Sequence, residues 1–186
     1  MNKINFKKEL SYEVSNQDIM KKVLYPKKTK IIIYSELASI NDISELLPSS
    51  NSVCFILLKE DSTAAHWTVL TRVNNSLYYF DSYGVEPDGE LKNITSEERD
   101  IFNESTKYLT QLLYHSSFDI SYNTTQFQQY SNATNTINTC GRWCLVFANC
   151  IFSGLNLSMF KNRMLNIKKQ TGLSYDKLVC VLYDSF

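Results

Sequence analysis

The sequence predicts an α+β domain, and three observations carry that prediction. Apolar and β-branched runs gather between Lys30 and Asp81, helical patterns dominate after Thr95, and no repeat, linker or low-complexity segment divides the chain. The 186 residues are 44% hydrophobic with only 5 Gly and 3 Pro, so the chain reads as one folded domain over residues 1–186 with material for a core.

Taken in order, Ser15 to Leu24 reads as a short helix. Ser15 or Asn16 caps it, Asp18 suits its positive end, Lys21 and Lys22 suit the other, and Pro26 stops it. Lys30 to Tyr34 is a strand, Asn41 to Leu47 a helical stretch ended by Pro48, and Val53 to Leu58 a buried strand. Ala65 to Val73 and Leu77 to Asp81 are antiparallel neighbours, because Asn74 and Asn75 between them tolerate the positive φ of a tight hairpin. A loop with Gly84, Pro87, Asp88 and Gly89 leads to Thr95-Ser96-Glu97-Glu98, a capping box opening a helix that runs to Tyr114. Phe118 to Tyr122 alternates as a strand. After the polar stretch Asn123 to Asn138 comes a helix from Cys140 to Phe152, closed by Gly154 and apolar all round, hence buried and central. Ser158 to Gln170 and Ser174 to Tyr183, split by Gly172, complete the helices.

Composition argues against several classes of function. Lys plus Arg and Asp plus Glu both number 19, so no global positive field drives nucleic-acid binding. The one basic cluster, Lys21 to Lys30, reads as a solvated helix end and turn. The longest apolar run, Cys144 to Phe152, is interrupted by Asn149 and falls short of the ~20 residues of a membrane span. Met1 to Asp18 carries no secretory signal, so an intracellular chain with reduced thiols is expected, which the odd number of cysteines also fits. The Asn-x-Ser/Thr triplets at Asn93, Asn103, Asn123, Asn132 and Asn156 are then uninformative. Cys140, Cys144 and Cys150 lack the paired spacing of zinc sites, with only His66 and His115 to supplement them, so no metal or cofactor is expected.

Position sets one cysteine apart. Cys140 opens the apolar helix, where unpaired N–H groups and the dipole favour a thiolate; Cys54, Cys144, Cys150 and Cys180 lie inside apolar elements as small core hydrophobes. The hairpin supplies a partner. A two-residue Asn74-Asn75 turn pairs Val73 with Ser76 and Thr68 with Asp81, leaving Asp81 diagonal to His66 on one face and within side-chain reach. A three-residue turn would send one of them away. In the first register Asp81 fixes the His66 tautomer and frees the other ring nitrogen as a base. Each residue alone also has an ordinary reading: Cys140 a buried thiol, Trp67 a sheet aromatic, His115 a solvated loop histidine, Glu86, Asp88 and Glu90 loop charges.

In combination they are more specific. His66-Trp67, then Phe80-Asp81-Ser82-Tyr83-Gly84, then a Gln-bearing loop, then Thr139-Cys140-Gly141-Arg142 resembles, over Ala64 to Phe152, the adenain and ubiquitin-like-protein protease superfamily of cysteine proteases. The resemblance implies an adenain-like fold, a central and mostly antiparallel sheet flanked by helices, with the nucleophile at the N-terminus of a buried helix. It implies His66 as general base, Asp81 as the acid orienting it, Cys140 as nucleophile, and a Gln amide that joins the Cys140 N–H in an oxyanion hole. Gln126, Gln128 and Gln129 precede Cys140 by fourteen, twelve and eleven residues, further than is usual in that family, so the loop Tyr130 to Thr139 is extended. Gln128, following Phe127, is the first choice, then Gln129 and Gln126; a solvated loop without a catalytic Gln is the other reading. Trp67, Tyr83 and Gly141 are expected to border the substrate, Gly141 by permitting close approach.

The implied activity is that of a thiol endopeptidase, most like the maturation proteases of virophages, Maverick/Polinton elements, adenoviruses and large DNA viruses. Its substrates would be capsid-protein precursors cut at small-residue sites containing Gly, and the Lys-, Asn- and Ile-rich composition suits an AT-rich viral genome. Such an enzyme would act as a monomer in the host cytoplasm or viral factory and be packaged in the virion. An activator peptide is a further partner the family allows; zero net charge argues against a need for nucleic acid, and no membrane partner is expected. The same residues would serve a deubiquitinase or other ubiquitin-like-protein protease, or an acyl transferase. A non-enzymatic binding module retaining the fold would leave Cys140 an ordinary thiol.

Overall fold

The computed structural model describes residues 4–59, 61, 64–131 and 136–186; Met1 to Lys3, the Asn132 triplet and the middle of the Tyr130 to Thr139 loop lie outside the described residues. Five strands, β1 (Thr29–Ile33), β2 (Ser52–Lys59), β3 (Ala65–Val73), β4 (Ser76–Asp81) and β5 (Asp119–Tyr122), form one sheet in chain order. Among the described residues the helices are α1 (Phe6–Ser11), α2 (Asn16–Lys22), α3 (Ser96–Phe102), α4 (Tyr108–Tyr114), α5 (Cys140–Phe152), α6 (Leu157–Thr171) and α7 (Tyr175–Tyr183).

The α+β class holds, and the hairpin takes the first of the two registers. Val73 pairs with Ser76 and Thr68 with Asp81, across a turn in which Asn74 adopts φ 53°. The sheet as a whole is mixed, however, and not mostly antiparallel. β3 runs antiparallel to β2 and β4, but β1 adds to β2 and β5 to β4 in parallel. The connections explain this: the chain leaves β1 through the 3₁₀ turns Tyr34–Ser39 and Ile43–Glu45, and leaves β4 through α3 and α4. Crossovers of that length return the next strand in the same direction, which a tight turn cannot do.

The central strands bury both faces. Along β2, Val53 and Phe55 enter one core and Cys54, Ile56 and Leu58 the other. Such strands read as continuous apolar runs because neither face meets water. The first core belongs to α5, where every residue except Cys150 and Phe152 is buried. Phe80 stacks on Phe147 at 4.5 Å, and Phe160 stands edge-on to Phe147 at 5.1 Å; each such pair adds about 0.5–1.5 kcal/mol to its area burial. Asn149, the polar interruption, accepts from Leu24 N–H at 3.0 Å and donates to the Lys22 carbonyl at 3.0 Å, fastening the end of α2 to α5. Among the described residues no single helix is long and apolar enough to cross a membrane.

Other departures have local causes. Of the two cap candidates for α2, Ser15 is the N-cap, and Asp18 completes a capping box with it. The helix opened by Thr95 breaks at Asn103, whose φ of 57° ends α3 in the left-handed region before α4 begins. The stretch at Asn41 to Leu47 shrinks to the single 3₁₀ turn Ile43–Glu45. α1 is additional: it buries none of its own residues, so its sequence lacks the periodic apolar face that marks a helix.

Candidate active site

His66 and Asp81 meet as the register requires. The imidazole Nε2 lies 3.3 Å from Asp81 Oδ2, with the two side chains 2% and 0% exposed. That contact is long and imperfectly aligned for a hydrogen bond, as catalytic contacts often are before substrate binds. Cys140 lines the same cavity as His66 and is the other group that acts on the imidazole. Burial, the strongest influence on His66, pulls its pKa down. The charge and hydrogen bond of Asp81, with Cys140 beside it, outweigh burial and hold the imidazole well above its ordinary 6.5. The geometry therefore favours an imidazolium facing a thiol at the head of a helix.

The Phe-Asp-Ser-Tyr-Gly run can be read residue by residue. Phe80 anchors the aromatic core, and Asp81 turns one oxygen to His66 while the other accepts from Tyr83 N–H at 2.6 Å. The carbonyl of Ser82 accepts from both Phe127 and Gln128 N–H, at 2.8 and 2.9 Å, and its hydroxyl donates to Gln128 Oε1 at 3.0 Å. Tyr83 stacks on the His66 ring at 4.6 Å, and Tyr130 stacks on Tyr83 at 4.3 Å. At Gly84, φ is 78° and a Cβ would come within 2.7 Å of the Thr125 backbone, so the turn requires glycine. The motif thus draws the Gln-bearing loop against the base.

Of the three candidate glutamines, Gln128 is the buried one and shares a cavity with Cys140 and His66; Gln126 and Gln129 are exposed. Its Nε2 donates to the Tyr83 hydroxyl at 3.2 Å and to the Ile137 carbonyl at 3.0 Å. The Ile137 carbonyl can only accept, which fixes the amide's orientation. Both amide hydrogens are committed, so an oxyanion entering here would displace one of these acceptors.

Cys140 stands where two cavities meet. One, of about 520 Å³, is walled by Val14, Leu57, Ala65 and Trp67; the other, of about 790 Å³, is walled by His66, Tyr83, Gln128, Tyr130 and Ile137. The N-terminal segment forms their shared rim. Asn138 donates its backbone N–H to Leu10 at 2.7 Å and its amide to Ser11 and Glu13, while Trp67 Nε1 donates to the Val14 carbonyl at 3.1 Å. Arg142, 1% exposed, grips the backbone carbonyl of Glu9 and, at 2.7 Å, its carboxylate. Trp67 therefore lines the cleft while holding its rim.

Gly141 does permit a close approach, but to this rim: an added Cβ would lie 2.8 Å from Val14 Cβ and 3.0 Å from Trp67 Cδ1. Gly141→Ala should consequently lower stability by up to about 2 kcal/mol, with overpacking costs of about 1–3 set against about 1 gained in helix propensity. Urea unfolding measures this, and a stabilised variant would contradict the packing.

The remaining cysteines have no such setting. Burial pushes the Cys54 thiol up to about 12 and Cys180 to about 11, and raises Cys144 and Cys150 as well. All five cysteines are free thiols, and among the described residues no group of His, Cys, Asp and Glu converges to hold a metal. His115 is an exposed residue at the end of α4.

Sequence reasoning missed three contributors. Asn123, 3% exposed, accepts from Asp81 N–H at 2.9 Å and donates to the Asp81 carbonyl at 2.7 Å. Asp176, at the start of α7, accepts from the Thr139 hydroxyl at 2.7 Å and from Gln129 N–H at 3.2 Å. The third is the rim at Glu9 to Val14. Their one signal is a polar residue bordering an apolar run, too common to single them out.

No established family model matches the chain. The chain is 31% identical over 180 residues to the uncharacterized protein V9 of Sputnik virophage, an alignment covering 94% of this chain and 98% of that protein. It belongs to the same family as that virophage protein.

Proposed function

We propose that the protein is a cysteine endopeptidase of virion maturation, cleaving capsid-protein precursors at small-residue sites containing Gly. One observation carries the reading: a buried His66 meets the Asp81 carboxylate at 3.3 Å and shares a cavity with Cys140, which opens a buried helix. Kinship with a virophage protein supports the viral setting, and in that setting the enzyme would act in the infected cell and be packaged in the virion. The Cys140 thiolate attacks the scissile carbonyl, and the oxyanion is received by the Cys140 N–H and the Gln128 amide. His66 gives its proton to the leaving amine as the C–N bond breaks, and the neutral imidazole then takes a proton from the water that hydrolyses the thioester, releasing the acid and restoring thiolate and imidazolium.

The first test needs no substrate. The rate of iodoacetamide alkylation at each cysteine, followed by mass spectrometry across pH, should single out Cys140 as reactive below neutral pH and should lose that reactivity in His66→Ala. A set of Gly-containing peptidyl amidocoumarins and ubiquitin-tail probes then separates maturation protease from deubiquitinase. A Cys140 that titrates as an ordinary thiol whether or not His66 is present would refute the activated pair. His66-dependent alkylation without cleavage of any peptide in the set would overturn the endopeptidase reading.

A further inference from the structure

The carboxylate of Asp176 is 3% exposed, and a charge so placed is costly unless its oxygens are engaged. Its own helix does not need it as a cap: Ser174 caps α7 by accepting from Lys177 N–H. Its two oxygens go instead to two separate segments of the site. Oδ1 takes the Thr139 hydroxyl at 2.7 Å, and Oδ2 takes the Gln129 N–H at 3.2 Å. Thr139 immediately precedes Cys140, and Gln129 immediately follows Gln128. One carboxylate thus holds the neighbour of each oxyanion donor.

A second consequence concerns α5. Thr at the N-cap commonly turns its oxygen onto the first-turn N–H groups. Thr139 makes no such bond: its backbone is helical (φ −95°, ψ 0°) where a capping residue is extended, and its hydroxyl donates to Asp176. Among the described residues no side chain accepts from the first-turn amides, at the place where the reaction needs donors.

From this geometry we propose that Asp176 is the positioning residue of the oxyanion hole, setting the separation of the Gln128 amide and the Cys140 N–H by holding Gln129 and Thr139. The inference rests on the endopeptidase reading and names a device that serves it. Asp176 touches no reacting atom. Its removal should therefore slow chemistry while leaving the thiolate and substrate binding in place, since a misplacement of about 1 Å costs on the order of 10²-fold.

The experiment compares Asp176→Ala, Asp176→Asn and Thr139→Val with wild type, using the peptidyl amidocoumarin that wild type cleaves. Asp176→Ala should lower kcat about 30- to 100-fold with KM within about twofold. Iodoacetamide alkylation of Cys140, which needs the thiolate and imidazolium but no oxyanion hole, should stay within about twofold of wild type. Asp176→Asn should recover most of kcat, because its amide can accept from Gln129 N–H and donate to the Thr139 hydroxyl. Thr139→Val, which cuts one arm of the bridge, should fall between the two, and it decides the matter if Asp176→Ala does not fold. An unchanged kcat, a parallel loss of kcat and alkylation, or an Asn variant as impaired as Ala would each overturn the inference. If wild type shows neither His66-dependent alkylation nor cleavage, the endopeptidase reading fails and the inference falls with it.

Discussion

Cys140→Ala should reduce peptide cleavage by at least about 10⁴-fold while leaving the fold intact, because no other thiol can take over the attack. Cys144, the next cysteine along α5, is fully buried, donates to the Trp67 carbonyl at 3.2 Å, and has its thiol pushed up by burial. Cys54 lies in the opposite core with a thiol pushed up to about 12, so Cys54→Ala should leave turnover unchanged and serves as the control. Cys140 is 8% exposed and stands at the cavity junction, so in Cys140→Ala the urea midpoint should move little. The check is twofold: turnover of the peptide, and trapping of an acyl-enzyme by acid quench and mass spectrometry, which wild type should show and the variant should not. Full turnover by Cys140→Ala on a confirmed substrate would sink the mechanism.

Asp81→Asn should cost about 10²- to 10³-fold in kcat, less than the roughly 10⁴-fold of a serine triad, because a thiolate needs less help from its base. Its sharper signature is a change in the sign of pH dependence. With Asp81 present, the His66 pKa is raised above 6.5, so the stability it contributes is complete below that value and is lost as pH rises through the higher folded value. With Asn at this position burial, the strongest influence, is opposed only by Cys140, the smaller of the two raising partners, so the folded pKa should drop below 6.5 and stability should instead be lost as pH falls. Urea midpoints across pH read this directly: wild type should weaken on the alkaline side and Asp81→Asn on the acid side. The alkaline limit of activity should move down with it. Equal pH profiles in the two proteins would separate Asp81 from His66.

The site's legibility differed by residue for physical reasons. His66 and Asp81 could be related from sequence because a two-residue turn fixes strand register, and register fixes which side chains share a face. Cys140 was legible because a helix apolar on all sides begins there. The choice of Gln128 over Gln126 and Gln129 rested on its neighbour Phe127, whose ring is 2% exposed and which draws the next residue inward. Asn123 and Asp176 act through partners about 40 residues away in sequence (42 and 37 for two of the bonds), a distance over which no periodicity carries information. The parallel edges β1 and β5 were missed for a related reason: alternation within a strand does not say in which direction its neighbour runs.

The rim held by Glu9 to Val14 bears on when the molecule becomes competent. Asn138 reaches Ser11 across 127 residues, Arg142 reaches Glu9 across 133, and Lys22 donates to the Tyr183 carbonyl across 161. Contacts of such span close late, after the local hairpin and helices have formed. On the ribosome, a chain that has just exposed Cys140 already holds the residues that wall its two cavities, but not yet the α7 carboxylate that spans Thr139 and Gln129. The order of synthesis itself thus holds that tie back until α7 has been made, after His66, Asp81 and Cys140 are all in the chain.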